Sequence, residues 1–155
     1  MASVSRSKFG VGVTVEEFGD RNFKRAVINT GKLDGDFVLV GIFEGAMPNS
    51  GEGTPVAVYA ALHEFGSQGG RVKEKAWMRS TLDLNREKYN RFIADGVRAV
   101  QDGSRTADGF LTELGMMVQA DLRLRITELH LILTGAMRNS VAFEVHSGVG
   151  AGGAK

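Results

Sequence analysis

Between Trp77 and Glu128 apolar residues return every three or four positions, in two consecutive stretches parted by one polar break. No other feature restricts the fold as strongly. That period makes a helix with a single apolar stripe, and two such helices in tandem must bury their stripes in a shared core. The first stretch runs from Trp77 to Val100 on Leu82, Tyr89, Phe92, Ile93, Val97 and Val100, with Asp83, Arg86, Glu87, Lys88 and Arg91 on its other face. The segment QDGSRTADG ends it. Thr106 or Asp108 is placed to cap a second helix that reaches about Glu128 on Leu111, Leu114, Val118, Leu122 and Ile126. The short link predicts that the two helices run antiparallel.

Extended segments flank this pair. Val11, Val13 and Val15 alternate with Gly12, Thr14 and Glu16, the period of a half-buried strand. Asp20 is placed to cap a short helix through Asn29, with Phe23 and Val27 facing inward. DFVLVGIF, Asp36 to Phe43, reads as a strand, and PVAVYAALHEFG, from Pro55, reads as its hairpin partner across a turn-rich loop, tightening into a helical turn near Ala60 to Phe65. Thr134 is expected to cap a short turn of helix, GAMRNS, before a last strand from Val141 to Val145. The fold predicted is α+β: a mainly antiparallel sheet packed against two long antiparallel helices, as one domain over residues 1–146. A flexible Gly-rich tail over 147–155 follows.

The 155 residues suffice for one buried core. With 19 basic against 18 acidic residues, the overall charge does not announce nucleic acid, membrane or an acidic substrate. The chain has no cysteine, hence neither disulfide nor thiolate metal site, and no apolar run approaches the ~20 residues of a membrane span. With no signal-like start, the expectation is a soluble protein made inside the cell.

Catalytic motifs begin and fail. His63-Glu64 opens the H-E-x-x-H pattern of zinc hydrolases, but Ser67 stands where the second histidine is needed, and Gly66, Gly69 and Gly70 end regular structure there. Gly31-Lys32 lacks the rest of a phosphate-binding loop, with Ala26 and Leu33 at the other key positions. Gly148, Gly150 and Gly153 have a dinucleotide-loop spacing with only two residues after them, too few for a helix N-terminus. Glu16 and Glu17, adjacent on a strand, point to opposite faces. His63, His130 and His146 fall in three different elements without metal-site spacing. The sequence thus predicts no catalytic, cofactor-binding or metal-ligating residues.

Three segments remain to be explained: VAVYAALHEFG at Val56 to Gly66, AWMRSTLDLNREKYN at Ala76 to Asn90, and LTGAMRNSV at Leu133 to Val141. In this order and at these intervals the chain resembles the tail-completion and virion-morphogenesis proteins of long-tailed bacteriophages, a family of tail components and neck proteins. The resemblance covers roughly residues 36 to 146. It rests on an alanine-rich run ending in H-E-F-G, an R-x-x-x-D helix start (Arg79, Asp83), and T-G-x-x-R-x-S (Thr134, Gly135, Arg138, Ser140) before the last strand. The family's proline-flanked loop stands here as Val72-Lys73-Glu74-Lys75-Ala76-Trp77, without its prolines and hence more mobile and more charged. Leu133 replaces an expected Asp and leaves Thr134 to cap alone.

In structural terms Phe65 is expected to anchor the core, Gly66 to supply a turn that a Cβ would hinder, and Glu64 to hold Arg79 or Arg138. Trp77 is expected in the core, with Met116 and Met117 as core filler. The resemblance implies a non-enzymatic virion protein, assembled in the host cytoplasm, that joins a homo-oligomeric ring, expected to be hexameric, at the head-tail junction. Its neighbours would be neck, connector and tail tube or sheath proteins, and DNA would pass through the ring. The interface loops expected are 44–54, with Met47 and Asn49, and 66–76, with Arg71, Lys73 and Lys75; transient phosphate contact is assigned to the second. The alternatives are a terminator that caps tail-tube polymerisation and, distantly, a small hydrolase built on His63, Glu64 and Ser67.

Overall fold

The computed structural model describes residues 26, 28–29, 31–47, 53–131 and 135–148. It is mixed α and β: strand β1 (Phe37–Ile42), helices α1 (Val56–Phe65), α2 (Trp77–Leu84), α3 (Arg86–Asp102), α4 (Ala107–Glu128) and α5 (Ala136–Asn139), and strand β2 (Val141–His146). The strand expected at Val11 to Phe18, and Phe23 and Val27 of the first helix, lie outside the described residues, as do Thr134, Asn49 and the tail beyond Gly148. Ala26, Ile28 and Asn29 are helical as expected.

β1 pairs antiparallel with β2, with Phe37 opposite His146, Leu39 opposite Glu144 and Ile42 opposite Val141. Alternation puts Val38, Val40 and Ile42 on one face together with Val141, Phe143 and Val145, and α4 packs across both strands there. The approach is close because Gly115 of α4 leaves the space that the Phe143 ring fills; a Cβ would lie 2.5 Å from Cδ2 of that ring. Gly96 of α3 does the same for Phe110 of α4, with a Cβ 2.1 Å from Cε2. One core cluster joins Val56, Ala60, Trp77, Leu122, Ile126, Ala136, Met137 and Val141. A second joins Val100, Ala107, Phe110 and Leu111 at the α3–α4 end. Each fully buried Leu, Ile or Val contributes about 1.5–3 kcal/mol.

Two local expectations are corrected. The run from Pro55 is not a hairpin strand: Val56–Phe65 is helical throughout, and β1 pairs with β2 instead. Val56, Ala60 and Glu64 fall one turn apart and are the buried positions of α1, so the inward stripe has the helical period. The helix expected from Trp77 to Val100 is interrupted at Asn85, whose φ and ψ are −103° and 8°. There the Asn85 side-chain amide and backbone N–H both donate to the Thr81 carbonyl, at 2.9 and 3.1 Å. A side chain competing for the helix's own acceptor favours such a break. The buried positions of α2 are Trp77 and Thr81, one turn apart, and Leu82 and Leu84 fall off that stripe, 45 % and 70 % exposed.

α4 begins as expected, with Thr106 Oγ1 accepting from the Gly109 N–H at 3.1 Å. Met116 is not core filler; it is exposed on the outer side of α4, and Met117 is half-buried. The cap position of α5 is Gly135, at φ 73°, and Gly135 makes no side-chain cap bond; the cap expected from Thr134 lies outside the described residues.

Candidate functional site

The conspicuous polar construction lies where α1, the 66–76 loop and the start of α2 meet. A helix start leaves its first N–H groups without intrahelical acceptors. At the cap position of α2 stands Ala76, in the left-handed region (φ 44°, ψ 42°), with no side chain able to accept them. Glu64, from the last turn of α1, takes that role. Its Oε2 accepts from the Met78 N–H at 2.8 Å and its Oε1 from the Arg79 N–H at 3.2 Å. A carboxylate at a helix N-terminus also meets the positive end of the helix dipole.

The same carboxylate binds the Arg79 side chain. Nε donates to Oε1 at 2.8 Å, and one terminal nitrogen donates to the Glu64 backbone carbonyl at 2.9 Å and to Glu74 Oε1 at 2.7 Å. Glu64 is 5 % exposed, so its charge sits out of water with donors on both oxygens. The hydrogen bond to Glu64 holds the Arg79 guanidinium above its ordinary pKa against the opposing effect of burial, and Glu74 adds in the same direction. The guanidinium carbon lies 5.2 Å from the centre of the Phe65 ring.

Gly66 turns the chain out of α1 at φ 77°, and a Cβ there would stand 3.2 Å from the Glu74 N and 3.3 Å from the Val72 carbonyl. Hydrogen bonds then pin the loop. The Ser67 N–H donates to the Val72 carbonyl at 3.0 Å, Ser67 Oγ accepts from the Val72 N–H at 2.8 Å, and the Lys75 N–H donates to the His63 carbonyl at 2.8 Å. They supply restraint where the missing prolines led us to expect a looser segment. Trp77 is 2 % exposed and donates its indole N–H to the Ala60 carbonyl at 3.0 Å, tying α2 to α1 a second time.

The expected residues divide accordingly. Glu64, Arg79, Gly66 and Trp77 come together, and the guanidinium that Glu64 holds is that of Arg79; Arg138 is exposed on α5. Phe65 is not a core anchor: it is 67 % exposed, because helical geometry turns it away from the Val56–Ala60–Glu64 stripe. It instead lies over Arg79. Met47, Arg71, Lys73 and Lys75 are exposed. His63 Nδ1 is buried without a hydrogen-bond partner among the described residues. No group of three or more His, Cys, Asp or Glu side chains able to hold a metal ion occurs among the described residues. No helix among them is long and apolar enough to cross a membrane.

Sequence reasoning missed Glu74, which closes the guanidinium clamp from an irregular loop where no periodicity reports on direction. It also missed Asp121 of α4, which accepts from the Tyr89 hydroxyl at 2.8 Å and from Lys88 at 2.6 Å. Burial first, and the Asp121 carboxylate second, push the Tyr89 pKa well up. Comparison with known protein families, with curated proteins and with solved structures finds no match to this chain.

Proposed function

We propose that the protein is a non-enzymatic structural subunit of the head-tail junction of a long-tailed bacteriophage, joining tail to head as one member of a hexameric ring through which DNA passes. The reading rests on the ordered resemblance of three segments. The observation that carries it is that two of them form one mechanical unit. The H-E-F-G run supplies the carboxylate that caps the R-x-x-x-D helix, and its glycine supplies the turn between them. A motif whose acid is taken up by two backbone N–H groups and an arginine has a structural use that requires no chemistry.

In the hydrolase alternative, Glu64 would have to serve as a base while both oxygens accept hydrogen bonds, and Ser67 as a nucleophile while its Oγ accepts the Val72 N–H. The structural reading asks neither of them to do two things. Within it, the two long helices of the α+β domain run antiparallel against the sheet, the surface loops meet the neighbouring neck, connector and tube or sheath proteins, and the subunit is assembled in the host cytoplasm into the virion.

The test is electron microscopy of a lysate made after an early stop codon is placed in the gene. Filled heads beside separate tails of normal length are expected. Overlong tails would make the protein a terminator of tube growth, and normal infectious particles would remove it from the virion altogether.

A further inference from the structure

Two apolar patches lie on different elements, and their rims carry opposite charge. The first is the outer stripe of α1, where Val58, Leu62 and Phe65 follow one another up the helix at exposures of 48, 37 and 67 %. Ala57 and Ala61 floor a shallow, open trough between them. Beside it runs the 66–76 loop, held there by the Lys75–His63 backbone bond, with Arg71, Lys73 and Lys75 exposed. The one acid of that stretch, Glu74, is bound to Arg79, so the rim is basic. The Phe65 ring at the end of the stripe is backed by a guanidinium that is itself fixed by two carboxylates, which orders it before any partner arrives.

The second patch is the sheet face turned away from α4. Phe37 and Leu39 stand on it at exposures of 48 and 45 %. Met78 closes the far end of this face, its Cε 3.7 Å from where a side-chain carbon at Gly41 would stand, and the Phe37–Leu39 end stays open among the described residues. The strand register places Glu144 directly beside Leu39, with its Oε2 3.3 Å from Nε2 of His146, whose ring stacks on Phe37, and Asp34 and Glu44 are exposed before and after β1. This rim is acidic.

We infer that the α1 stripe of one copy of this chain docks on the Phe37–Leu39 face of a second copy, with Arg71, Lys73 and Lys75 meeting Asp34, Glu44 and Glu144 around the apolar contact. Two different patches meeting head to tail make a contact that repeats from subunit to subunit. Apolar centres desolvated inside a charged rim are the usual anatomy of such an interface, and the rim sets orientation. The inference takes only the idea of self-association from the ring proposed above; the choice of surfaces stands on exposure, register and charge.

The absence of cysteine makes a direct test available. Chains carrying L62C and L39C are prepared separately, mixed and oxidised. The expected product is the mixed L62C–L39C disulfide, in excess over either homodimer. Adding K73E and K75E to the L62C chain is expected to lower that yield about tenfold, since each exposed charge pair is worth up to about 1 kcal/mol and reversal makes it repulsive. Adding E44K and E144K to the L39C chain is expected to restore it. Homodimers of L62C alone, or no cross-link at all, would overturn the proposal; the second result would leave the sheet face to another segment or another protein. Native mass spectrometry of the unmodified chain reads the ring separately. A mixed disulfide with a native mass that stops at the dimer keeps the contact and removes the ring, whereas a closed ring without the disulfide keeps the ring and removes this contact.

Discussion

Glu64 and Arg79 stand fifteen positions apart in the chain, yet the carboxylate of the first receives both the backbone N–H and the side-chain Nε of the second, at 3.2 and 2.8 Å. One acid therefore both caps a helix and fixes the arginine in its first turn.

Replacing Glu64 with Gln keeps the shape of the side chain but turns an NH2 group toward donors that need acceptors. The expected cost is about 2 kcal/mol, combining a lost cap with a weakened charge-assisted bond. It is read as a lower urea midpoint at unchanged slope. An unchanged midpoint would mean that α2 is held by packing alone.

Gly66 and Gly69 both have positive φ, 77° and 83°, but only Gly66 has backbone atoms where a Cβ would go. Gly69→Ala is expected to cost about 1 kcal/mol from conformation alone, and Gly66→Ala distinctly more, because the loop must also move off Glu74 and Val72. Equal losses in thermal unfolding would show that crowding at Gly66 is relieved without cost.

Tyr89 gives a pH dependence with a definite sign. Its folded-state pKa is raised above the ordinary value of about 10, while the unfolded chain titrates normally. Its contribution is therefore fully present below pH ~10 and is lost as pH rises from there toward the folded value. Stability should fall above pH ~10, less steeply in Tyr89→Phe, and phenolate absorbance should develop late in the native protein. Tyr59, also raised by burial, shifts in the same direction.

Trp77 is the only tryptophan and is 2 % exposed. Native fluorescence should be blue-shifted and resistant to iodide, moving to the red on unfolding. Trp77→Phe should cost about 1–3 kcal/mol, through the smaller ring and the Ala60 carbonyl left without its indole donor.

Arg71, Lys73 and Lys75 are exposed and lie outside these bonded contacts except for the Lys75 backbone. Changing all three to Ala should leave thermal stability within about 0.5 kcal/mol. Any loss of assembly or infectivity would then report on the surface; none would remove the loop from the functional reading.

What could be read beforehand follows from how directly a residue's neighbours fix its direction. β1, β2 and α4 were legible because alternation and helical period both survive into the structure, and Thr106 caps α4 through its own next turn. The partner of Glu64 was narrowed to two arginines on a resemblance, and the structure selects Arg79. α1 was misread because valines at its start suggest a strand, while its helical stripe consists of Val56, Ala60 and a buried acid, a residue type that ordinarily marks the outside. The helical turn expected over Ala60 to Phe65 is present, but Phe65, expected as a core anchor where hairpin and helices meet, falls beside the buried stripe and faces outward. The break at Asn85 comes with a side-chain bond to the Thr81 carbonyl that no periodicity carries. Met116 falls on the outer side of α4 although its type suggests the core.

Ala76 makes the start of α2 a matter of order in time. A helix whose own cap position offers no acceptor nucleates poorly, and the acceptor that completes it belongs to the preceding helix. The amides of Met78 and Arg79 should therefore exchange with solvent only when α1 opens as well, so residues 56–84 would unfold and refold as one unit rather than as two helices and a loop. A peptide cut out after Gly66 would carry every residue of α2 and still lack the atom on which its first turn closes.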